Sequence, residues 1–390
     1  MSGRQLDYVR GGLTDLMCAG PRLTPDPRPT HHVACRIWFV DLVACQPMSA
    51  PAEIRTEDEL EDRLSEPTPP VIETLGALAG DIIVLGVGGK MGPTLARMAR
   101  RASDAADVRR RIIGVSRFSS GGQIELRRHG IEAISCDLLD ATAVARLPDA
   151  ANVLFLAGRK FGSTDDEAAT WAINSHLPGV VCNRYRTSRI VALSTGNVYP
   201  LVPVAGPGSR ETEPAQPVGE YAMSCLGRER VFEHFSRVFE IPIAVIRLNY
   251  ACDLRYGVLV DLARKVLAGE PIDLSMGYFN TIWQGDASTM VLRAFIDVAS
   301  PPCVVNVTGP EKLRVREVAE RFGRLLNRPV QFTGAEADTA LLSDASYGLE
   351  RLGPLRVGAD QLIEWVASWV AGGGRSLGKP THFESRDGRF

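Results

Sequence analysis

The stretch Asp81–Met98, DIIVLGVGGKMGPTLARM, runs from a short β-rich segment through a glycine turn into a helical one. Gly86, Gly89 and Gly92 follow a GxxGxxG spacing between the two. Such a turn uses one glycine to bend sharply out of the strand. A second lets the backbone approach a pyrophosphate, and a third brings the helix close to the strand. The helix then offers unpaired N–H groups and the positive end of its dipole. Gly86, Gly89, Lys90, Met91 and Gly92 are therefore the expected phosphate-binding turn of a dinucleotide site.

Downstream, strand-like runs alternate with helical ones: RRIIGVS (110–116), GIEAISCD (130–137), ANVLFLAG (151–158), a helix over 166–186, SRIVALS (188–194), a helix around Tyr221 and IPIAVIRL (241–248). This βαβ alternation predicts an α/β fold with a doubly wound parallel sheet covered by helices on both faces. After about residue 250 the alternation becomes irregular, with helices near 257–268, 286–299, 314–327 and 359–371. These predict a smaller mixed α/β part over the strand C-terminal ends, where ligands bind in open sheets. The expected division is residues 1–47 as a poorly ordered extension, with Met48 as a more natural start, and 48–79 as a helical segment with a surface helix over 55–65. The nucleotide-binding domain follows over 80–252, a substrate-binding part over 253–373 and a flexible tail over 374–390.

A net charge of -2 gives no electrostatic case for nucleic acid or an anionic membrane, and no apolar run reaches membrane-spanning length. The eight cysteines show neither CxxC pairs nor zinc spacing, so reduced thiols, no metal and a cytoplasmic location are expected. At the end of the second strand, where NAD-binding chains usually carry a carboxylate for the ribose 2′-hydroxyl, stand Ser116 and Arg117. A guanidinium can pair with a 2′-phosphate, which a carboxylate would repel, so NADP(H) is expected over NAD(H). Asp137, followed by Leu138, is placed to meet the adenine.

The segments GVGGKMG (86–92), CDLLD (136–140), VLFLAGR (153–159), WAIN (171–174), ALSTGNVYP (192–200) and YAMSC (221–225) come in an order and spacing that resemble the extended short-chain dehydrogenase/reductase family, the nucleotide-sugar epimerases and dehydratases. The resemblance covers about residues 80–370 and implies a Rossmann-type fold, hydride transfer on a sugar, sugar nucleotide or related polyol or keto compound, and a homodimer. It implies Thr195 as the hydroxyl on the reacting oxygen, Tyr221 as acid/base, Asn174 as the support of the helix and its water chain, and Ala157 and Gly158 beside the nicotinamide ribose. Asn197, Arg247, Asn249 and Tyr250 are expected to face the substrate. Dehydratases of this family follow the threonine with an Asp–Glu pair. Gly196 and Asn197 stand here instead, and neither titrates, so 4,6-dehydration is disfavoured.

One element of the family pattern is missing. Four residues after Tyr221, where the family has a lysine that lowers the tyrosine pKa, this chain has Cys225. A neutral thiol supplies no cation. Lys160, after the fourth strand, is the expected substitute, with Arg228 the less exact one. Two functional classes follow: an epimerase or reductase with a rebuilt site, or a catalytically silent NAD(P)-binding sensor or scaffold.

Overall fold

The computed structural model describes residues 53–119, 121–163 and 165–389; the expectations for residues 1–47 and Met48 lie outside the described residues. Seven strands pair in parallel: β1 (Ile82–Leu85), β2 (Ile112–Ser116), β3 (Glu132–Ser135), β4 (Asn152–Phe155), β5 (Arg189–Thr195), β6 (Ile243–Leu248) and β7 (Cys303–Val307). Their spatial order is β3-β2-β1-β4-β5-β6-β7. The chain therefore winds outward in one direction from β1 to β3, then crosses back to β4 and proceeds in the other. The switch point lies between the C-terminal ends of β1 and β4, the place where open α/β sheets bind ligands. Leu85 pairs with Phe155 there.

Both central strands are wholly buried, because helices cover each face. Side chains alternate along a strand, so Ile82 and Val84 pack toward Leu95 and Ala99 of α3 (Gly92–Ala105), while Ile83 and Leu85 pack with Phe155, Val181 and Phe232 on the opposite side. The second face is built by α7 (Leu177–Arg184) and α8 (Gly219–Phe239). Upstream lie α1 (Glu57–Leu64) and α2 (Pro69–Ala77); between β2 and β5 come α4 (Gln123–Arg128), α5 (Ala141–Ala145) and α6 (Glu167–Trp171). Beyond β6 come α9 (Val258–Ala268), α10 (Gln284–Arg293), α11 (Val315–Leu326), α12 (Ser346–Leu352) and α13 (Ala359–Ala371). Among the described residues no helix is long and apolar enough to cross a membrane.

A third core gathers α9, α11 and α13, and three expectations change around it. The helix expected on the surface near 55–65 is α1, opened by a Thr56 capping box, but Leu60 and Leu64 are fully buried in this core. Its apolar residues recur at helical spacing, and the acidic ones between them mask that stripe. Second, β7 and α10 come from the stretch assigned to the substrate part, yet they complete the parallel sheet and its helical cover, so the boundary at 252 is not a clean cut. Third, the tail expected to fray is packed. Phe383 is 2% exposed against Phe279, and the Arg386 guanidinium donates to the Thr339 carbonyl at 2.8 Å. Glycines and charges in 374–390 conceal one buried aromatic and a series of backbone anchors.

Candidate active site

At the switch point the three glycines do different physical work. Gly86 has φ +89°, and a Cβ there would stand 2.6 Å from the Ala157 nitrogen, so the turn lies directly against the end of β4. A Cβ on Gly92 would meet the Val87 carbonyl oxygen at 2.1 Å. Gly89 is exposed, and its face has room. The N–H groups of Lys90, Met91 and Gly92 find no partner among the described residues. Open backbone donors at the start of α3 can hold a dinucleotide pyrophosphate.

Ser116 ends β2 with its hydroxyl packed over Gly88, and Arg117 beside it is exposed, with no partner for its guanidinium among the described residues. Asp137 is exposed and accepts from the Leu139 N–H at 3.1 Å, while Leu138 is buried in the core. Sequence reasoning missed what surrounds Lys90: its ammonium lies 3.1 Å from the Tyr256 ring centroid and 4.3 Å from that of Phe161. Burial, with the charges of Lys160 and Lys379, pushes this ammonium down to about 7.

Thr195 closes β5 and is buried. Its hydroxyl accepts from the Asn197 N–H at 3.2 Å and donates to Asn197 Oδ1 at 3.0 Å. Tyr221, in the first turn of α8, has its hydroxyl in hydrogen-bonding contact with Thr195 and Cys225. Burial and the neighbouring Cys225 push the phenol well above its usual range, and the Arg228 charge offsets this only in part. Cys225 is itself fully buried, which raises its thiol pKa and keeps it neutral. Tyr221 is consequently protonated at neutral pH.

Asn174 sits in a π-helical turn, Ala172–His176, between α6 and α7. The extra residue in such a turn changes the direction of one side chain, and π turns recur at functional sites. Its Oδ1 accepts from the Arg159 N–H at 2.9 Å and from Arg228 Nη2 at 2.7 Å. Its Nδ2 donates to the Arg159 carbonyl at 3.0 Å and to Ser224 Oγ at 2.9 Å. Arg228 also donates to the Leu193 carbonyl at 2.7 Å, and its Nη2 lies 2.8 Å from where a Cβ on Gly158 would stand. The cation ranked second from sequence thus ends beneath the exposed Gly158 and acts electrostatically on Tyr221. Its two-turn separation along α8 is spanned by the long arginine side chain. Lys160 approaches separately: its Nζ is 5.9 Å from the Tyr221 ring centroid and donates to the Thr381 carbonyl at 3.1 Å. Burial pushes Lys160 down to about 8, while the charges of Asp261 and Glu384 pull it back.

The expected substrate residues divide. Arg247 is not free to meet a ligand: it is buried, ion-paired with Glu229 at 2.7 Å and donating to the Tyr199 hydroxyl at 2.7 Å. Strand alternation aims it at α8 rather than into the cleft. Asn249 is 1% exposed and donates to Asn280 Oδ1 at 2.9 Å, which also assigns it to the framework. Asn197 turns its side chain onto Thr195. Tyr250, with φ +46°, is half-buried near Tyr256 and Glu384. Among the described residues no group of three His, Cys, Asp or Glu side chains is arranged to hold a metal.

The sequence model described as the NAD dependent epimerase/dehydratase family matches residues 82–277. No curated protein matches the sequence. Among solved structures, UDP-glucuronic acid 4-epimerase from Bacillus cereus in complex with NAD has a TM-score of 0.62 at 16% identity, over 74% of this chain and 98% of that one. UDP-glucose 4-epimerase from Thermotoga maritima with UDP-glucose gives 0.61 at 17%, over 74% and 98%. dTDP-glucose 4,6-dehydratase from Bacillus anthracis in complex with NAD gives 0.62 at 15%, over 75% and 96%. At these identities the likeness carries the fold.

Removing the Asn174 amide strands Arg228, Ser224 and both Arg159 backbone groups. Asn174→Ala is expected to lower unfolding free energy by about 3 kcal/mol, the scale of unsatisfied buried partners. Urea unfolding checks this, and a loss below about 0.5 kcal/mol, the scale of an ordinary surface change, would contradict it.

Proposed function

The chain belongs to the NAD dependent epimerase/dehydratase family, and from that premise we propose that it transfers hydride between NAD(P)(H) and an oxygen-bearing carbon of a sugar, sugar nucleotide or related keto compound. The observation that carries this is the hydrogen-bonding contact of the Thr195 and Tyr221 hydroxyls at the C-terminal end of β5. Gly86, Gly89, Lys90, Met91 and Gly92 would hold the pyrophosphate; Ala157 and Gly158 would flank the nicotinamide ribose. When bound, the nicotinamide supplies or accepts the hydride.

The chain's own groups favour the reducing direction. Tyr221 keeps its proton and donates it to the oxygen of a carbonyl as negative charge develops there. Thr195 orients that oxygen from the other side. Arg228 supplies a fixed positive charge beneath the site, and Lys160 a titratable one beside the Tyr221 ring. Together they take the place of the lysine that Cys225 does not provide. Starting with oxidation, as an epimerase must, requires Tyr221 to act as base, which its burial opposes. Gly196 and Asn197 provide no acid–base pair for dehydration.

Ser116 and Arg117 support NADP(H) as the preferred cofactor, through pairing of the free guanidinium with a 2′-phosphate. We also propose a homodimer through the outer faces of α7 and α8, where Gly179, Val180, Val231 and Phe235 line an apolar groove. A monomer by light scattering would contradict this.

The test of function is to add UDP-glucose, UDP-glucuronic acid, dTDP-glucose and their 4-keto derivatives to protein with NADPH or NADH and follow nicotinamide absorbance. Expected is turnover of a keto sugar, a loss of about 10²–10⁴-fold in Tyr221→Phe with cofactor affinity retained, and weaker NADPH binding in Arg117→Ala. Cofactor binding with no turnover of any of these would favour the silent sensor, a reading to which the neutral Cys225 also lends support. Lys160 is an ammonium below about 8 and an amine above, so turnover should fall as pH rises through that value. Lys160→Met should flatten the limb; a limb that persists rejects this role for Lys160.

A further inference from the structure

The segment after α13 has neither helix nor strand, yet it runs from the third core to the start of the Tyr221 helix. Thr381, 2% exposed, fixes it midway: its N–H and its hydroxyl donate to the same Asp261 oxygen of α9, at 2.7 and 2.6 Å. The same hydroxyl accepts from the Phe383 N–H at 3.3 Å. Glu384 pairs with Lys265 at 3.2 Å, and Arg386 donates to both the Ser275 and Thr339 carbonyls. At its end Gly388 (φ +73°) lies against Gly219 (φ +82°), the first residue of α8. A Cβ on Gly388 would stand 2.1 Å from the Val218 carbonyl oxygen, and one on Gly219 would stand 2.4 Å from that of Gly388. The contact admits no side chain on either partner, and it falls two residues before Tyr221.

One group of this segment meets Lys160 directly. The Thr381 carbonyl accepts from Lys160 Nζ, and Asp261 holds that carbonyl in place through two bonds. A buried ammonium needs acceptors for its donors, or it retreats to solvent or loses its proton. We propose that residues 375–389 are a strap belonging to the active site, and that Thr381 is a positioning residue that holds the Lys160 ammonium beside Tyr221. This rests on the reading of Lys160 as a partial substitute for the missing lysine. The charged and titratable groups facing Lys160 are Asp261 of α9, Cys225 and Tyr221 of α8, Glu384 of the strap and Lys90 of the glycine turn.

The experiment uses the full chain and its Thr381→Val, Gly388→Ala and Lys160→Met variants, with folding checked by circular dichroism. Acetic anhydride labelling read by mass spectrometry reports Lys160 against exposed Lys312 across pH without any substrate. Turnover is measured with the most active of the sugar nucleotides named above. Expected is slow labelling of Lys160, accelerated about tenfold by loosening the strap, with kcat lowered about tenfold, the size of one pKa unit, and the cofactor KM unchanged. If Lys160 labels like Lys312, or if both strap variants leave labelling and kcat as they were while Lys160→Met loses the alkaline limb, the strap is overturned and Lys160 stands. If the strap variants expose Lys160 but Lys160→Met keeps wild-type kcat and pH profile, the reading of Lys160 falls, and the role of Thr381 falls with it.

Discussion

Four hydrogen bonds to one buried amide hold the site together. The Asn174 side chain has two acceptor positions and two donors, and the structure fills all of them from three directions: Arg159 after β4, Ser224 and Arg228 on α8. A half-satisfied polar cluster would be costly in a dry interior, whereas a complete one is rigid. The π turn is what lets a single residue between α6 and α7 present its amide this way. Through Arg228, which also binds the Leu193 carbonyl of β5, the same network connects the strand that carries Thr195 to the helix that carries Tyr221.

The electrostatic consequence follows from where charge is placed and where it is not. Position 225 is fully buried and neutral, so the phenol of Tyr221 responds mainly to burial, which wins over the partial help of Arg228. A lysine four residues along would have reversed that balance. Cations enter instead from further along α8 and from the segment after β4, one permanently charged and one that titrates at about 8. In the proposed reaction this distribution of charge favours delivering a proton over taking one.

Much of this was legible in the sequence. GVGGKMG and the run of short apolar strands report a parallel sheet because the constraints are local: glycine where the backbone needs it, apolar residues where both faces are covered. Thr195, Tyr221 and Asn174 stand out by their order along the chain; the structure brings the Thr195 and Tyr221 hydroxyls into contact and ties Asn174 to the Tyr221 helix through Ser224 and Arg228. Arg247 was misread because position at a strand end does not say which face the side chain takes, and Glu229, its partner, lies on a helix eighteen residues earlier. Arg228 was undervalued because reach depends on side-chain length as well as helical spacing. The strap was invisible for a different reason: its anchors are a threonine, an arginine to carbonyls, and two glycines in contact, none of which makes a hydrophobic pattern.

Burial of its phenol beside Cys225 leaves Tyr221 protonated where the family's lysine would have eased its ionisation. Ultraviolet difference titration of the full chain against Tyr221→Phe measures this without a substrate. No tyrosinate assignable to Tyr221 is expected at or below the ordinary phenol pKa of about 10. A Tyr221 ionisation near neutral pH would contradict it.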